Sequence, residues 1–332
     1  MPRTAAAAVH LPKVTSELGA SDGAEPAAFT ADSDRCSTLS RNSGESLIGT
    51  ASVVQSWLLL EQPGPWEDYA ALSSRRLPPG LGAELARRAK QHSVRIVLMR
   101  RHGRTPGGAA PTCIVASSSP DNPWLGRIVL DSPCDVLDLD LSTLAAGHVR
   151  GVATVTGPLF CVCTHGSHDP CCAERGRPLA AALAADFPLQ TWEITHVGGH
   201  RFAGNLVCLP DGDYLGRVTA DNAVGIARTY IGGDYPLANL RGRSSYTPAV
   251  QAADVLVRER LGVARRAAVE ITSVELGADF ALVRMNILDH GTVEARVGIA
   301  QSSTPVVVSC GPTDLEQPPT YDLVALTTVD AP

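Results

Sequence analysis

Four of the nine cysteines in this chain fall between residues 161 and 172, in the segment FCVCTHGSHDPCCAERG. A later loop, THVGGHRFAGN, carries His196 and His200, four positions apart across Gly198 and Gly199. Thiols and imidazoles are the ligands of zinc and of iron–sulfur centres, and clustered cysteines read as metal-binding or redox-active before they read as structural staples. Cys163 ends an apolar run, and Cys172, nine positions later, opens a helical pattern. The positive end of a helix dipole lowers a thiol pKa, which favours thiolate character at Cys172. The glycine pair lets the second loop turn tightly and approach a bound centre closely.

Two thiolates and two imidazoles admit two main centres. Tetrahedral zinc takes two cysteines and two histidines readily, and the H-x₃-H spacing suits it. Zinc fingers, however, draw their cysteines from short knuckles, whereas Cys163 and Cys172 are separated across a strand end and a helix start. A [2Fe–2S] cluster also accepts two histidines in place of two cysteines, and the loop spacing suits a bridged centre better than one small ion. Cys161 lies two positions before Cys163 on the same strand face and reads as core, although it is an alternative ligand; Cys171 is an alternative to Cys172. His165 and His168 are either loop polar residues or partners of a bound cluster. Asp169 is placed to cap the following helix, and Arg201 to pair with an acid. The remaining thiols, Cys36, Cys113, Cys134, Cys208 and Cys310, read as buried or free, and Trp66, Trp192 and Tyr214 as core.

The positioning elements follow from pattern. SVVQSWLLLEQP and RIVLMRRHG read as strands on either side of the helical LGAELARRAKQHSV, and CIVASS and LGRIVLDSP as further strands. DVLDLDLSTLA adds strand and a closing helix. TVTGPLFCVCTHG then ends as a strand in the cysteine-rich loop, and CAERGRPLAAALAADFP is a helix stopped at Phe187–Pro188. TWEITHVGG is a strand, NLVCLPDGDYLGRVT a hairpin about Asp211–Gly212, and ADNAVGIARTYI a helix. Strand, helix, strand, hairpin, helix is the order of a thioredoxin-like α/β unit, and the first half repeats it loosely. The expected organisation is a disordered tail over 1–45, a degenerate thioredoxin-like domain over 46–150, a metal-bearing one over 151–240, and a small α+β module over 241–332. In that last module AVQAADVLVRERLG is a helix, and ADFALVRMNILD, TVEARVGIA and TPVVVSCG an antiparallel sheet.

Composition narrows the function. The net charge is −6, without a basic stripe interleaved with aromatics, so nucleic acid is not an expected partner. No stretch reaches the roughly 18 uninterrupted apolar residues of a membrane span. The N-terminal Ala run is too weak to serve as the apolar region of a signal peptide, so the chain is expected to be soluble and cytoplasmic, with no disulfide framework.

FCVCTHGSHDPCCAERGRPLA followed by WEITHVGGHRFAGNLVCLPDGDYLGRV resembles the sucrase/ferredoxin-like family, a branch of the thioredoxin-like ferredoxins. The shared pattern is C-x-H-G-x-x-D-x-C-C-x-x-x-G, then H-x-G-G-H-R-F-A-x-N, then L-P-D-G-x-Y-x-G-R. The segment RCSTLSRNSGESLIGTASVVQSWLLLEQPGPW is similar to the opening of bacterial members. The resemblance implies a thioredoxin-like fold carrying a [2Fe–2S] cluster and passing single electrons to and from a redox protein partner. Thioredoxin-like ferredoxins proper use cysteines at the last two ligand positions; this chain has His196 and His200 there, as in the fungal branch. By position, Cys163 and Cys172 would hold one iron and His196 with His200 the other. Imidazole ligands can be protonated, which implies proton-coupled reduction and loss of the cluster in acid. Nothing resembles a paired carboxylate site for glycoside hydrolysis. The expectation is an electron carrier rather than a stand-alone enzyme. The alternatives are a structural or regulatory zinc domain, and a thiol oxidoreductase using the vicinal Cys171–Cys172.

Overall fold

The computed structural model describes residues 32–67, 71–103, 110–311 and 315–329. Most of the expected tail, residues 1–31, lies outside them. Within the rest of it, α1 (Cys36–Asn42) is a helix where disorder was expected. Its anchor is remote in sequence: Arg35 Nε donates to Glu174 Oε2 at 2.9 Å, and Cys36 is fully buried. Local composition carries no trace of either contact.

The first half then runs β1 (Ser56–Glu61), α2 (Leu81–His92), β2 (Val94–Arg100), β3 (Thr112–Ser117) and β4 (Trp124–Val129). DVLDLDLSTLA forms two 3₁₀ turns, Pro133–Asp138 and Leu141–Ala146, in place of the expected strand and helix; Ser132 and Asp140 cap them. A two-residue β5 (Ala153–Thr154) leads into β6 (Leu159–Cys163), α3 (Pro170–Asp186), β7 (Thr191–Ile194), the hairpin β8 (Leu206–Leu209) and β9 (Asp213–Leu215), and α4 (Ala220–Ile231). The chain continues through β10 (Leu240–Arg243) and α5 (Pro248–Leu261).

All ten strands join one mixed sheet, ordered β10-β9-β8-β6-β7-β2-β1-β3-β4-β5. Each half contributes the same pattern. In the first, β1 pairs parallel with β2 and antiparallel with β3, which pairs antiparallel with β4. In the second, β6 pairs parallel with β7 and antiparallel with β8, which pairs antiparallel with β9. The halves meet where β2 and β7 run antiparallel, Met99 opposite Ile194 and Arg100 opposite Glu193.

Strand periodicity splits the side chains between two faces. On β1, Trp57 and Leu59 join one core while Leu58 and Leu60 join another under α2. On β6, Cys161 and Cys163 face the first of these cores, and Phe160 and Val162 face a third under α3 and α4. The first core is continuous across both halves because the sheet curls. Trp57 on β1 and Tyr214 on β9, far apart in strand order, have ring centroids 6.2 Å apart. Ser118 Oγ accepts from Trp57 Nε1 at 3.0 Å and donates to Pro210 O at 2.6 Å, closing the curl. Burying one such indole is worth roughly 2–3 kcal/mol in apolar area alone.

The C-terminal part is an antiparallel sheet of β11 (Val269–Leu276), β12 (Phe280–Ile287), β13 (Gly291–Gln301) and β16 (Pro319–Thr328) packed on α5. TPVVVSCG does not join it. That segment gives only β14 (Val306–Val307), paired with β15 (Leu315–Glu316) apart from the main sheet. No helix among the described residues is long and apolar enough to cross a membrane.

Candidate metal centre

Parallel pairing of β6 with β7 sets Cys163 opposite Ile194, so the loops after both strands open at the same end of the sheet. After β6 the chain needs only residues 164–169 to reach α3. Asp169 caps that helix, its Oδ1 accepting from Cys171 N–H at 2.8 Å, and Pro170 fills the first helical position. This turn brings Cys172 back over the strand end. Gly176, one turn further, lies so close that a Cβ there would be 2.1 Å from Cys163 O.

Cys163, Cys172 and His196 place ligand atoms within 4.8 Å of one another, and so do His168, His196 and His200. Cys172 Sγ is 3.8 Å from His196 Nδ1. The rings of His168 and His196 stack with centroids 3.8 Å apart, and His200 lies 5.1 Å from His196. Three of the residues expected from sequence thus converge directly, and His200 adjoins them through His196. Both thiols are 1% exposed, whereas the three imidazoles are half-buried. A cleft of about 810 Å³ reaches His165, His168 and His196 from the side of α2.

The electrostatics suit ligation. The hydrogen bond between the two thiols draws Cys163 well below the ordinary thiol pKa and pushes Cys172 well above it. Burial, with its imidazole neighbours, pushes His168 down to about 4, and burial lowers His200. Neutral imidazole is the form that binds metal. Both ring nitrogens of His200 are buried without a hydrogen bond of ordinary geometry; Asp169 Oδ2 is 3.8 Å from Nε2.

The glycine loop is held from behind. Gly198 and Gly199 have φ of 98° and 72°, a region that glycine enters without penalty. Arg241, 1% exposed, donates from Nη1 to Gly198 O at 3.1 Å and to Asn205 Oδ1 at 2.8 Å, and from Nε to Thr50 Oγ1 at 3.0 Å. Asn205 Nδ2 donates to Gly199 O at 2.8 Å. A Cβ on Gly199 would meet Arg241 Nη2 at 2.3 Å. Arg241 was not singled out from sequence, since one arginine among many carries no local signal.

The alternative ligands separate cleanly. Cys161 is buried in the sheet core and outside every ligand group among the described residues; burial pushes its thiol up to about 12. Cys171 turns away from Cys172 into a second group with Cys36, Cys310 and Asp169, which sequence spacing does not reveal. Cys113 and Cys208 are buried and Cys134 is exposed. Arg201 pairs with Glu45, Nε to Oε1 at 2.7 Å. Trp66, Trp192 and Tyr214 are core.

Comparison with known proteins gives two relationships. The sucrase/ferredoxin-like family matches residues 47–242. A protein of Meyerozyma guilliermondii, "Altered inheritance of mitochondria protein 32", is 36% identical over 87 residues, or 23% of this chain. The match spans 31% of that protein's length. No solved structure matches.

Proposed function

We propose, from the premise that this chain belongs to the sucrase/ferredoxin-like family, that it is an electron-transfer protein whose [2Fe–2S] cluster is held by Cys163, Cys172, His196 and His200. The observation that carries this reading is the convergence of Cys163, Cys172 and His196, with His200 grouped about the same His196. A buried thiol pair with imidazoles at its rim offers the sulfur and nitrogen donors that such a cluster takes. A cluster of this kind, when bound, takes up and releases one electron.

The chain's residues divide the remaining work. The cysteines lie on the dry side, and His196, with His165 and His168, faces the cleft, where a partner protein would approach. His168, stacked on His196, shields the cluster position from water. Arg241 fixes the loop through its carbonyls and leaves the imidazole nitrogens untouched. The strand order repeated in the two halves supports a pair of tandem thioredoxin-like units, the first with neither cysteine nor histidine in the link after β1.

Anaerobic purification followed by iron, zinc and acid-labile sulfide analysis tests the reading, with EPR after dithionite reduction. Two irons and two sulfides per chain, with a reduced signal of low average g, are expected of mixed sulfur and nitrogen ligation. A colourless protein whose Cys163/Cys172 site holds zinc would replace electron transfer with a structural role.

A further inference from the structure

Cys36, Cys171 and Cys310 come from three remote parts of the chain, yet their sulfurs form a closed triangle. Cys171 Sγ is 3.6 Å from Cys36 Sγ and 3.2 Å from Cys310 Sγ, and the third side is 3.5 Å. All three residues are buried. Asp169, 2% exposed, completes the group: its oxygens are 3.9 and 3.8 Å from Cys36 Sγ. Its carboxylate also accepts from Cys171 N–H at 2.8 Å and from Cys310 N–H at 2.9 Å. Cys36 N–H points at Cys310 Sγ, 3.4 Å away.

We propose that Cys36, Cys171, Cys310 and Asp169 form a second metal centre, selective for a thiophilic divalent ion of tetrahedral preference, zinc above all. Ligands about 2.3 Å from a tetrahedral ion lie about 3.8 Å from one another. The Asp169-to-Cys36 separations already match, and the sulfur triangle needs to widen by about 0.2–0.6 Å, most of it between Cys171 and Cys310. Each carboxylate oxygen keeps a lone pair beyond the one occupied by a backbone N–H. Zinc enters as the three thiols release their protons to solvent, so no electron is transferred. The competing chemistry, a Cys171–Cys310 disulfide, would use two sulfurs and leave Cys36 and Asp169 unexplained.

The position gives the centre a purpose. It ties α1 and the segment after β14 to the first turn of α3, and the next residue of that turn is Cys172. Asp169 also lies 3.8 Å from His200 Nε2, so one carboxylate adjoins both centres.

The test uses the full chain with Cys163→Ser and His196→Ala, which remove the proposed cluster ligands, grown with added zinc sulfate. About one zinc per folded chain is expected to persist, and to fall roughly tenfold or more when Cys310→Ser is added. Cys36→Ser, on a different element, is expected to do the same, so misfolding of one variant leaves the other to decide. Cobalt reconstitution is expected to give thiolate-to-metal charge-transfer absorption that disappears with either change. Absence of zinc from the folded first-site variant would overturn the proposal, and so would zinc indifferent to both substitutions. A Cys171–Cys310 disulfide found by alkylation and mass spectrometry would overturn it as well. Retained zinc without iron in the unmodified protein would sink the electron-transfer reading and leave this one standing.

Discussion

The two halves of the large sheet share a strand order and differ in what they carry at the strand ends. After β6, the short link 164–169 delivers Cys172 against Cys163. After β1, the equivalent link runs from residue 62 to residue 80 and contains neither cysteine nor histidine. The first half meets the second through β2, which pairs with β7, the strand that leads to His196. Its contribution is concentrated at the seam. Glu193, on β7, accepts from Arg100 Nε at 2.9 Å, from Arg100 Nη2 at 2.7 Å and from Thr164 Oγ1 at 2.8 Å, with His102 Nδ1 2.8 Å away.

The sharpest way to break this asymmetry is to remove thiols on either side of it. Cys172→Ser is expected to lower bound iron at least tenfold or so, whereas Cys113→Ser, in β3 of the first half, leaves iron per chain unchanged. Equal losses from both would mean that the halves are not functionally distinct. Next in size is the seam. Glu193→Gln leaves Arg100 without its buried partner and is expected to cost about 3 kcal/mol in urea unfolding. Burial alone would raise the Glu193 carboxyl, but the guanidinium of Arg100 holds it below its ordinary 4.5. Its stabilising contribution is thus full above the unfolded value and lost as pH falls through the lower folded one. The variant is expected to show a shallower acid limb below about pH 4.5, and an unchanged limb would remove the seam from the account.

A smaller effect is expected at the close contact of helix and strand. Gly176→Ala, whose methyl would meet Cys163 O, is expected to cost about 2 kcal/mol and loosen iron together with stability. Gly225, in α4, faces open space, with no atom within 4 Å of where a methyl would sit, and Gly225→Ala is expected to stabilise by about 0.5–1 kcal/mol without touching iron. Thermal melts and iron release to a chelator read both. Tolerance of alanine at Gly176 would show that α3 is free to shift relative to β6.

Much of this was legible because it is local. Alternation on LFCVC placed Cys161 and Cys163 on one face, and the glycine pair marked the histidine loop. Asp169 with Pro170 announced a helix start. What escaped depends on contacts between remote residues. Arg241 reaches Thr50, Gly198 and Asn205 from positions that share no period or motif. Cys36 lies in the expected disordered tail and Cys310 in an expected strand of the C-terminal sheet, yet they meet at Cys171. In the C-terminal part, the pattern gives no sign of β11 and β16, because both alternate weakly and every residue of each is exposed or half-buried. The reading of TPVVVSCG as a sheet strand followed β-branched propensity, which a pairing partner has to redeem.

The edge-to-edge joining of β2 with β7 has a consequence for self-association. Separate halves would each offer an unpaired strand, the usual template for runaway assembly. Once joined, the large sheet ends on one side at β5, only two residues long, and on the other at β10, where a register shift separates Leu240 from Gly242 and Arg243 follows. A short strand, a bulge and a charge are each deterrents to further pairing. The chain thus spends its two most adhesive borders on each other, and the borders it shows to neighbouring molecules are poor grips.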